Sequence, residues 1–327
     1  MKQHITGLML AVLTLLMLGG CSNDNQKITI KLAHGLDAKH PVHQAIVHLD
    51  ERLKLISDGK MGLDIYPSGQ LGSERELIEL LQIGSLGMTK ISASTLEGFV
   101  PEIKVFNLPY LFKNNQHLWK VLNNEIGRKL LVAGEPFLIR GLGYYDAGSR
   151  SFYSTDRPVN NPDDLKGMKI RVMNSQTAVS MVNAMGGAAT PVSFGELYTA
   201  LQQGVVDGAE NNPPSFYLSR HYEVSKFYTL DEHTSIPDVI LISKYVWDTL
   251  TEQQQRWLQQ ATDDSVVFQR GLWQSATDEA LAAVKAAGVE VIIPDKSDFL
   301  NSVDDVYAEE TDPNLLEMIT AIKSMAN

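Results

Sequence analysis

The chain has 327 residues, of which 44% are hydrophobic and 20% are charged, and its formal net charge is −11 at pH 7. The composition is typical of a globular protein, and the length allows two domains of ordinary size. The acidic balance disfavours a nucleic-acid partner, because such partners require a basic surface. It does not exclude a small acidic ligand, since a buried pair of arginines can set the local potential against the global one.

The N-terminus predicts export. Residues 1–20 contain an uncharged run, Gly7–Leu18, that is too short to span a bilayer, and they are predicted to be a secretory signal peptide. The run ends in Leu-Gly-Gly-Cys, which matches the lipobox at which bacterial lipoproteins are cleaved and lipidated on the cysteine. Cys21 is the only cysteine, so it cannot form an internal disulfide; a reactive thiol and a chance cysteine are the alternatives. Residues 21–26 are then a lipidated polar tether, which predicts a periplasmic protein held on a membrane by acyl chains.

The first half of the mature chain alternates strands and helices. Strands are predicted at 28–34, 61–66 and 88–92, and helices at 41–56 and 73–83, the second opening with a Ser73–Glu76 capping box. This β-α-β-α-β order predicts a parallel sheet. A helix at 116–132 is followed by extended segments at 137–145 and 149–154, and their direct succession suggests a crossing to a second domain near Gly148.

The second half repeats the alternation. The predicted elements are a helical turn at 161–167, a strand from Lys169 to Arg171, a helix at 175–185, a capping box at Ser193–Glu196 opening a helix to Gly204, strands at 205–210, 228–231 and 239–243, and a turn at 211–214. Thr251 then caps a helix that has Gly271 as its main interruption before Gly288 and that could approach about 50 Å. A strand at 289–293 and helices at 296–307 and 314–325 follow.

The fold predicted from this order is α/β, with two domains and a long helix that could span both; the family resemblance given below adds hinge strands between the domains. The 239–243 strand is predicted to return to the first domain. Domain I is expected to comprise 27–147 plus 237–275, and domain II 148–236 plus 276–327.

Five polar residues are predicted where the pattern ends strands, which is where α/β sheets bind ligands. They are His34, Ser92, Arg150, Arg171 and Asn211. An arginine at the end of an apolar strand requires an anion, and its planar fork fits a carboxylate. Arg171 is therefore predicted to hold the carboxylate of a small organic acid; the alternative is a structural ion pair with one of the chain's many acids.

Five candidate residues have both a functional and a structural interpretation. Arg150 alternates with apolar residues and is the natural second cation for an acid, whereas His34 could be satisfied by local loop contacts. Glu74 lies in a first helical turn, where the helix dipole favours a carboxylate in any case. Lys90 in a predicted strand is often a solvated edge residue, and an aromatic such as Phe194 is usually core, although it can form the apolar wall of a pocket.

Signatures of catalysis are missing from the sequence. It contains no nucleophile elbow, no zinc-protease motif, no P-loop and no dinucleotide-binding glycine pattern after a strand. The histidines lack metal-ligand spacing. We therefore expect a binding protein without a metal or a cofactor.

Three motifs together resemble the substrate-binding subunit of TRAP transporters, of the DctP type. They are Ile170-Arg171-Val172-x-Asn174, the run from Val192 to Gln202, and Val206-Asp207-Gly208-x-Glu210-Asn211, supported by Gln70-Leu71-Gly72 and Phe106-x-Leu108-Pro109-Tyr110. The resemblance covers essentially the whole mature chain. It implies two hinged α/β domains that close on an organic acid in the periplasm. It also implies delivery to a permease with a small and a large membrane subunit, with sodium-coupled import belonging to the permease.

The resemblance also implies roles for residues. Arg171 resembles the principal carboxylate-clamping arginine, Asn211 a nearby ligand-holding amide, Arg150 a second arginine used by many members, and Phe194 a common pocket aromatic. The positions of His34, Glu74, Lys90 and Ser92 are ones where ligand-specific contacts usually fall. The lipobox is a departure, because many members are free periplasmic proteins.

The ligand is predicted to be a sugar acid, a hexuronate such as galacturonate or glucuronate. Several candidates can bind hydroxyl groups (His34, Glu74, Ser92, Asn174 and Asn211), and the Asn211–Phe216 segment resembles that of hexuronate-binding members. A C4-dicarboxylate is the main alternative ligand. A sensory module for a membrane receptor and a secreted enzyme acting on acidic sugars are the alternative functions, and the protein is expected to be a monomer.

Overall fold

The computed structural model describes residues 27–326. The predicted signal peptide at 1–20 and the predicted tether at 21–26 with Cys21 lie outside the described residues and stay predictions. The strands of the described chain are β1 Ile28–Ala33, β2 Met61–Tyr66, β3 Met88–Ser92, β4 Ile139–Tyr145, β5 Arg150–Ser154, β6 Lys169–Val172, β7 Ala188–Pro191, β8 Gly208–Asn211, β9 Phe227–Thr234, β10 Asp238–Ser243 and β11 Glu290–Ile292. Within residues 27–326, no helix is both long enough and apolar enough to cross a membrane.

These strands form two sheets. The first has the order β2-β1-β3-β10-β4, in which β1 runs parallel to β2 and β3, whereas β10 runs antiparallel to β3 and β4. The second has the order β11-β9-β5-β8-β6-β7, in which β6 runs parallel to β7 and β8, and β5 runs antiparallel to β8 and β9. The predicted parallel start of the chain and the return of the 239–243 strand to the first sheet are therefore confirmed.

Helices connect the strands and cover the sheets. They are α1 Pro41–Ile56, α2 Glu74–Gln82, α3 Ala93–Leu96, α4 Asn115–Leu122, α5 Glu125–Val132, α6 Gln176–Ala184, α7 Leu197–Gln202, α8 Pro213–Leu218, α9 His221–Val224, α10 Lys244–Thr249, α11 Glu252–Ala286, α12 Ser297–Asn301, α13 Asp304–Ala308 and α14 Pro313–Ser324. The capping box at Ser73 is formed, because Ser73 and Glu76 each accept a backbone hydrogen bond from the other.

The long helix crosses both sides of the molecule. Its 35 residues correspond to about 52 Å, and it packs on α1 and β4 of the first side and on α8 of the second. The predicted Thr251 capping box is present, and Gly271 does not interrupt the helix. At mid-length the Gln269 side chain bonds both the amide and the carbonyl of Asp146, each at 2.8 Å, just before the chain enters β5. The helix therefore anchors the crossing between the sheets.

One apolar cluster is continuous between the two sides. It joins Ile91 and Phe106 of the first side to Phe152 and Ile170 of the second, all of them fully buried. Burial of such side chains removes apolar area from water, which stabilises the packing of one sheet region against the other. The two sheets therefore meet on a shared core.

Some predicted elements differ from the structure. The single helix predicted at 116–132 is split into α4 and α5, because the Asn124 side chain accepts hydrogen bonds from two backbone amides and starts a new helix. The turn predicted at 211–214 is instead the start of α8, capped by Asn212. Ser193 donates to the Glu196 carboxylate but caps no backbone amide, and a 3₁₀ turn precedes α7. Strand β7 was not predicted.

The predicted domain bounds remain a proposal, and the end of the chain argues for one change. Domain II was predicted to include 276–327, yet the last segments contact the first side. The Tyr307 hydroxyl donates to the carbonyl of Pro109 at 2.6 Å, and the His117 ring lies 2.9 Å from the carbonyl of Ile322. We would therefore assign α14 to domain I.

Candidate binding site

A cavity of about 320 Å³ lies between the two sheets. The loop after β1, the start of α2, and β3 line it on one side, and β5, β6, β8 and residues 192–196 line it on the other. Eight of the nine predicted ligand-binding residues are brought together here: Glu74, Lys90, Ser92, Arg150, Arg171, Asn174, Phe194 and Asn211. The strand-end rule is correct for Ser92, Arg171 and Asn211, because β3, β6 and β8 direct their carboxyl ends toward this cavity. Arg150, which the rule also selected, instead begins β5.

Arg171 is buried and forms no ion pair with any of residues 27–326. It is 1% exposed on β6, its Nε donates to the carbonyl of Val192 at 2.8 Å, and its NH1 atom has no hydrogen-bond partner among the described residues. Burial lowers the pKa of this guanidinium, and the Glu210 carboxylate partly offsets that effect, but an arginine remains charged at neutral pH. The structural ion-pair alternative therefore finds no support, and the cation is available to an anion in the cavity.

Asn211 directs a hydrogen-bond donor at the cavity. Its Oδ1 accepts from Arg150 NH1 at 3.0 Å and from the amide of Asn212 at 2.9 Å, which fixes the side-chain amide in one orientation. Its Nδ2 group makes no hydrogen bond to any part of the chain that the structure describes. The Arg171 guanidinium and the Asn211 amide thus present unused donors to one cavity.

Arg150 differs from the prediction of a second free cation. Its Nε and NH2 atoms form a two-pronged salt bridge with both carboxylate oxygens of Glu210, and its NH2 also bonds the carbonyl of Glu210 at 2.8 Å. Burial would lower the pKa of Arg150, but Glu210 outweighs burial and raises it; the same pair lowers the pKa of Glu210 to about 2 despite its burial. Arg150 lines the cavity, yet its charge is balanced, and it fixes Asn211.

Lys90 lies at the centre of a buried acidic wall. It was considered a possible solvated edge residue, but it is 3% exposed and its ammonium lies 3.1 Å from Glu74 and 3.3 Å from Asp238. Glu74 also accepts from the Ser92 amide at 3.1 Å and the Thr95 hydroxyl at 2.8 Å. The Ser92 hydroxyl lines the cavity and caps α3. This acidic wall, formed by Glu74, Lys90 and Asp238, faces Arg150 and Arg171 on the opposite side of the cavity.

The pKa values of the two acids in that wall, Glu74 and Asp238, are shifted in opposite directions. Burial would raise the pKa of Glu74, but Lys90 and the hydrogen bonds from Thr95 and Ser92 outweigh it and lower that pKa. Burial raises the pKa of Asp238, and Lys90 only partly opposes the rise. Glu74 is therefore the firmly ionised acid, and Asp238 takes up a proton more readily.

His34 is the predicted site residue that the structure does not bring to the cavity. It is fully buried, its Nδ1 accepts from the Leu36 amide at 3.2 Å, and its Nε2 lies 3.0 Å from Nδ1 of His43. Because the amide requires an unprotonated Nδ1, Nε2 carries the proton and donates to His43. Burial lowers the pKa of His34 to about 3, so the ring is neutral. The local-contact alternative was the better interpretation.

His40 lies where His34 was expected. Its Nδ1 accepts from the Val42 amide at 3.2 Å, so its Nε2 donates to the hydroxyl of Ser215 on α8, 3.3 Å away. His40 and Ser215 line the cavity from opposite sides, and this bond joins the two walls. The signal that could have selected His40 was its position before Pro41, where a helix N-cap is expected.

Two further predicted residues complete the cavity. Phe194 is half-buried, and its ring lies 6.0 Å from the Arg171 guanidinium carbon, close enough for a weak cation–π contact. Asn174 is exposed at the mouth. Asp238 was missed because it begins an antiparallel strand, whose start lies beside the ends of its neighbours; a rule based on strand ends cannot select it.

The residues that line this cavity indicate what kind of protein the chain forms. An inter-sheet cavity with an unpaired buried guanidinium and a free amide donor is the site of a binding protein for a small acid. The family model for bacterial extracellular solute-binding proteins, family 7 (DctP), matches residues 32–312, and the chain belongs to this family.

Solved structures and curated relatives agree with that assignment. The chain is 41% identical to a TRAP periplasmic solute-binding protein from a Bradyrhizobium species in complex with α/β-D-galacturonate, with a TM-score of 0.89 over 90% of this chain and 99% of that one. It is 35% identical to one from Anaerococcus prevotii with bound α/β-D-glucuronate, with a TM-score of 0.89 over 91% and 98%. It is also 30% identical to the C4-dicarboxylate-binding periplasmic protein DctP of Rhodobacter capsulatus, over 91% of each chain.

These similarities confirm the predicted family resemblance and the α/β fold of the TRAP binding proteins. The protein is a solute-binding protein of an extracytoplasmic family, not an enzyme.

Proposed function

We propose that this chain is a periplasmic lipoprotein that captures a sugar acid and delivers it to a TRAP permease. The ligand is a hexuronate such as galacturonate or glucuronate, held by its carboxylate on Arg171. Binding closes the two sides on the ligand, and the small and large membrane subunits of the permease receive it. The protein acts as a monomer.

The observation that carries this proposal is the buried Arg171 guanidinium with no counter-ion among residues 27–326. A buried charge without a partner is costly, so a site that keeps one is stabilised by an anionic ligand. The donor atoms of Asn211 and the acceptors of the acidic wall supply partners for hydroxyl groups. A cavity of about 320 Å³ lies at the small end of the range for ligand pockets, which suits a single sugar acid.

The contact between His40 and Ser215 supports closure. It is a hydrogen bond between the two walls of the cavity, at 3.3 Å, so it can form only when the sides approach each other. The bound galacturonate and glucuronate of the similar structures support the choice of ligand.

A C4-dicarboxylate is the second candidate ligand, and the similarity to the Rhodobacter capsulatus protein favours it. Against it, Arg150 is balanced by Glu210, so Arg171 is left as the unpaired arginine of the cavity wall. A dicarboxylate would require a second free cation.

Isothermal titration calorimetry with galacturonate, glucuronate, succinate and malate tests the ligand. We expect saturable binding of a hexuronate without turnover. Arg171→Lys should weaken it about tenfold or more, because a point charge cannot reproduce a two-pronged contact. Arg256→Lys, at an exposed position outside the cavity, is the matched control and should bind normally. Binding confined to succinate or malate would favour the second candidate, and no binding of any acid would contradict the proposal.

The anchor is tested separately. The lipobox predicts that the wild-type protein fractionates with membranes and that Cys21→Ser abolishes lipid attachment, as read by mass spectrometry of the mature N-terminus. A wild-type N-terminus without acyl chains would contradict this part of the proposal.

A further inference from the structure

Asp238 has a carboxylate oxygen that is free to accept a hydrogen bond from a ligand in the cavity. It is 6% exposed, and its Oδ1 lies 3.3 Å from the Lys90 ammonium. Its Oδ2 accepts no hydrogen bond from the residues that the structure covers, although Asp238 lines the cavity. By contrast, both carboxylate oxygens of Glu74 are engaged by Lys90, Ser92 and Thr95.

Apart from the exposed Arg75, Glu76 and Glu196, the charged residues of the two walls of the cavity have opposite net sign. On the first side, Glu74 and Asp238 share one ammonium, that of Lys90, which leaves a net negative charge. On the second side, Arg150 is balanced by Glu210, and Arg171 remains as a net positive charge. Charges in a cavity of low dielectric act more strongly than in water, so a ligand experiences this asymmetry directly.

If the carboxylate of a ligand lies on Arg171, the opposite end of that ligand lies near the hydrogen-bond acceptor Asp238. A hydroxyl group can donate to Asp238 Oδ2 and form a charge-assisted hydrogen bond. A second carboxylate in the same place would face two acids that share one cation, and such like-charge juxtaposition rejects a ligand.

We propose that Asp238, supported by Glu74 and held by Lys90, makes the site selective for monocarboxylic sugar acids over dicarboxylic sugar acids of the same carbon skeleton. This rests on the proposed function, because it requires the first carboxylate to lie on Arg171. The relevant difference between the two ligand classes is the group opposite that carboxylate: a hydroxyl group or its oxidised, charged counterpart.

The discrimination depends on the ionisation of Asp238. Lys90 from β3, Glu74 from α2 and Arg150 from β5 are the charged groups that act on it, and burial raises its pKa. Protonation removes one negative charge and converts the acceptor into a donor. Dicarboxylate binding should therefore improve relative to monocarboxylate binding as the pH falls.

The test compares galacturonate with galactarate in wild type and in Asp238→Asn, by calorimetry or by competition. Shape differs between these acids, but that difference is the same in both proteins, so the change in the affinity ratio reports the loss of charge and of the acceptor at position 238. Asp238→Asn should weaken galacturonate about tenfold or more and should tighten galactarate. Asp50→Asn, a buried lysine-paired aspartate outside the cavity, should leave the ratio unchanged.

The outcomes are distinct. An unchanged ratio in Asp238→Asn, with galacturonate still bound, overturns the inference and leaves the proposed function standing. If the wild-type protein binds no sugar acid, both the inference and the proposed function are overturned. If Asp238→Asn does not fold, Asp238→Ser decides: its affinity ratio should shift toward galactarate relative to wild type, and an unchanged ratio overturns the inference.

Discussion

Two arginines line the same wall of the cavity, and both are buried, yet their surroundings are opposite. Arg150 has a two-pronged partner in Glu210, whereas Arg171 has a backbone carbonyl at Nε and an NH1 atom without a partner among the described residues. Burial is therefore not what marks a binding residue here. The difference teaches that an arginine becomes a candidate ligand contact when the protein leaves its charge unbalanced.

The largest expected effect comes from breaking the paired arginine. Glu210→Gln leaves Arg150 as a buried charge without its acid, and we expect the free energy of unfolding to fall by about 3–5 kcal/mol. Urea denaturation measures this. Glu125→Gln removes the acid of an exposed helical pair and should leave the unfolding free energy unchanged. Equal, small effects in both variants would mean that the buried pair contributes little.

The unpaired arginine should behave in the opposite way. Arg171→Met keeps most of the apolar stem but removes the charge, so the protein without ligand should be as stable as wild type or more stable. Sugar-acid affinity should fall by about tenfold to a hundredfold, since a charge-assisted contact contributes about 1.5–3 kcal/mol. Calorimetry and urea denaturation on the same sample separate the two effects. Normal binding together with lower stability would contradict the distinction between the arginines.

The pH dependence of stability tests the buried ion-pair network around Arg150 and Glu210. His233 lies between Asp231, at 2.7 Å, and Glu210, at 3.6 Å; burial would lower its pKa, but the two acids raise it to about 9. A folded pKa above the unfolded value of 6.5 means that this stabilisation is fully present below pH 6.5. It is lost as the pH rises through 9.

Imidazole chemical shifts measured by NMR give the His233 pKa directly. A midpoint near pH 9 is expected. The free energy of unfolding of the wild type should fall over the same pH range, and that of His233→Gln should not. A midpoint at or below 6.5 would contradict the charged network.

The smallest effect concerns the bond between the walls. His40→Ala and Ser215→Ala should each weaken ligand binding about threefold to tenfold, because one neutral hydrogen bond contributes about 0.5–1.5 kcal/mol. A double-mutant cycle provides the control: the double variant should lose no more than either single one. Additive losses would mean that the two residues act independently of each other.

Local patterns in the sequence predicted much of this architecture. The Thr251 capping box and the absence of strong breakers predicted α11, and the strand-end rule predicted the cavity positions of Ser92, Arg171 and Asn211. These features depend on neighbouring residues, which is why periodicity and capping reveal them.

Contacts between distant segments were not predictable in the same way. The pairing of Arg150 with Glu210 joins residues 60 positions apart through the antiparallel contact of β5 with β8. The placement of Asp238 depends on the reversed direction of β10 within the first sheet. Neither follows from local spacing, and the choice between His34 and His40 depended on a loop whose course the sequence does not specify.

A crystal structure of the protein with bound galacturonate tests the central claim most directly. The account predicts the sugar carboxylate about 2.7–2.9 Å from NH1 of Arg171, with the opposite end of the sugar directed at the acidic wall. A carboxylate placed against Lys90, with Arg171 NH1 still unpartnered, would contradict it.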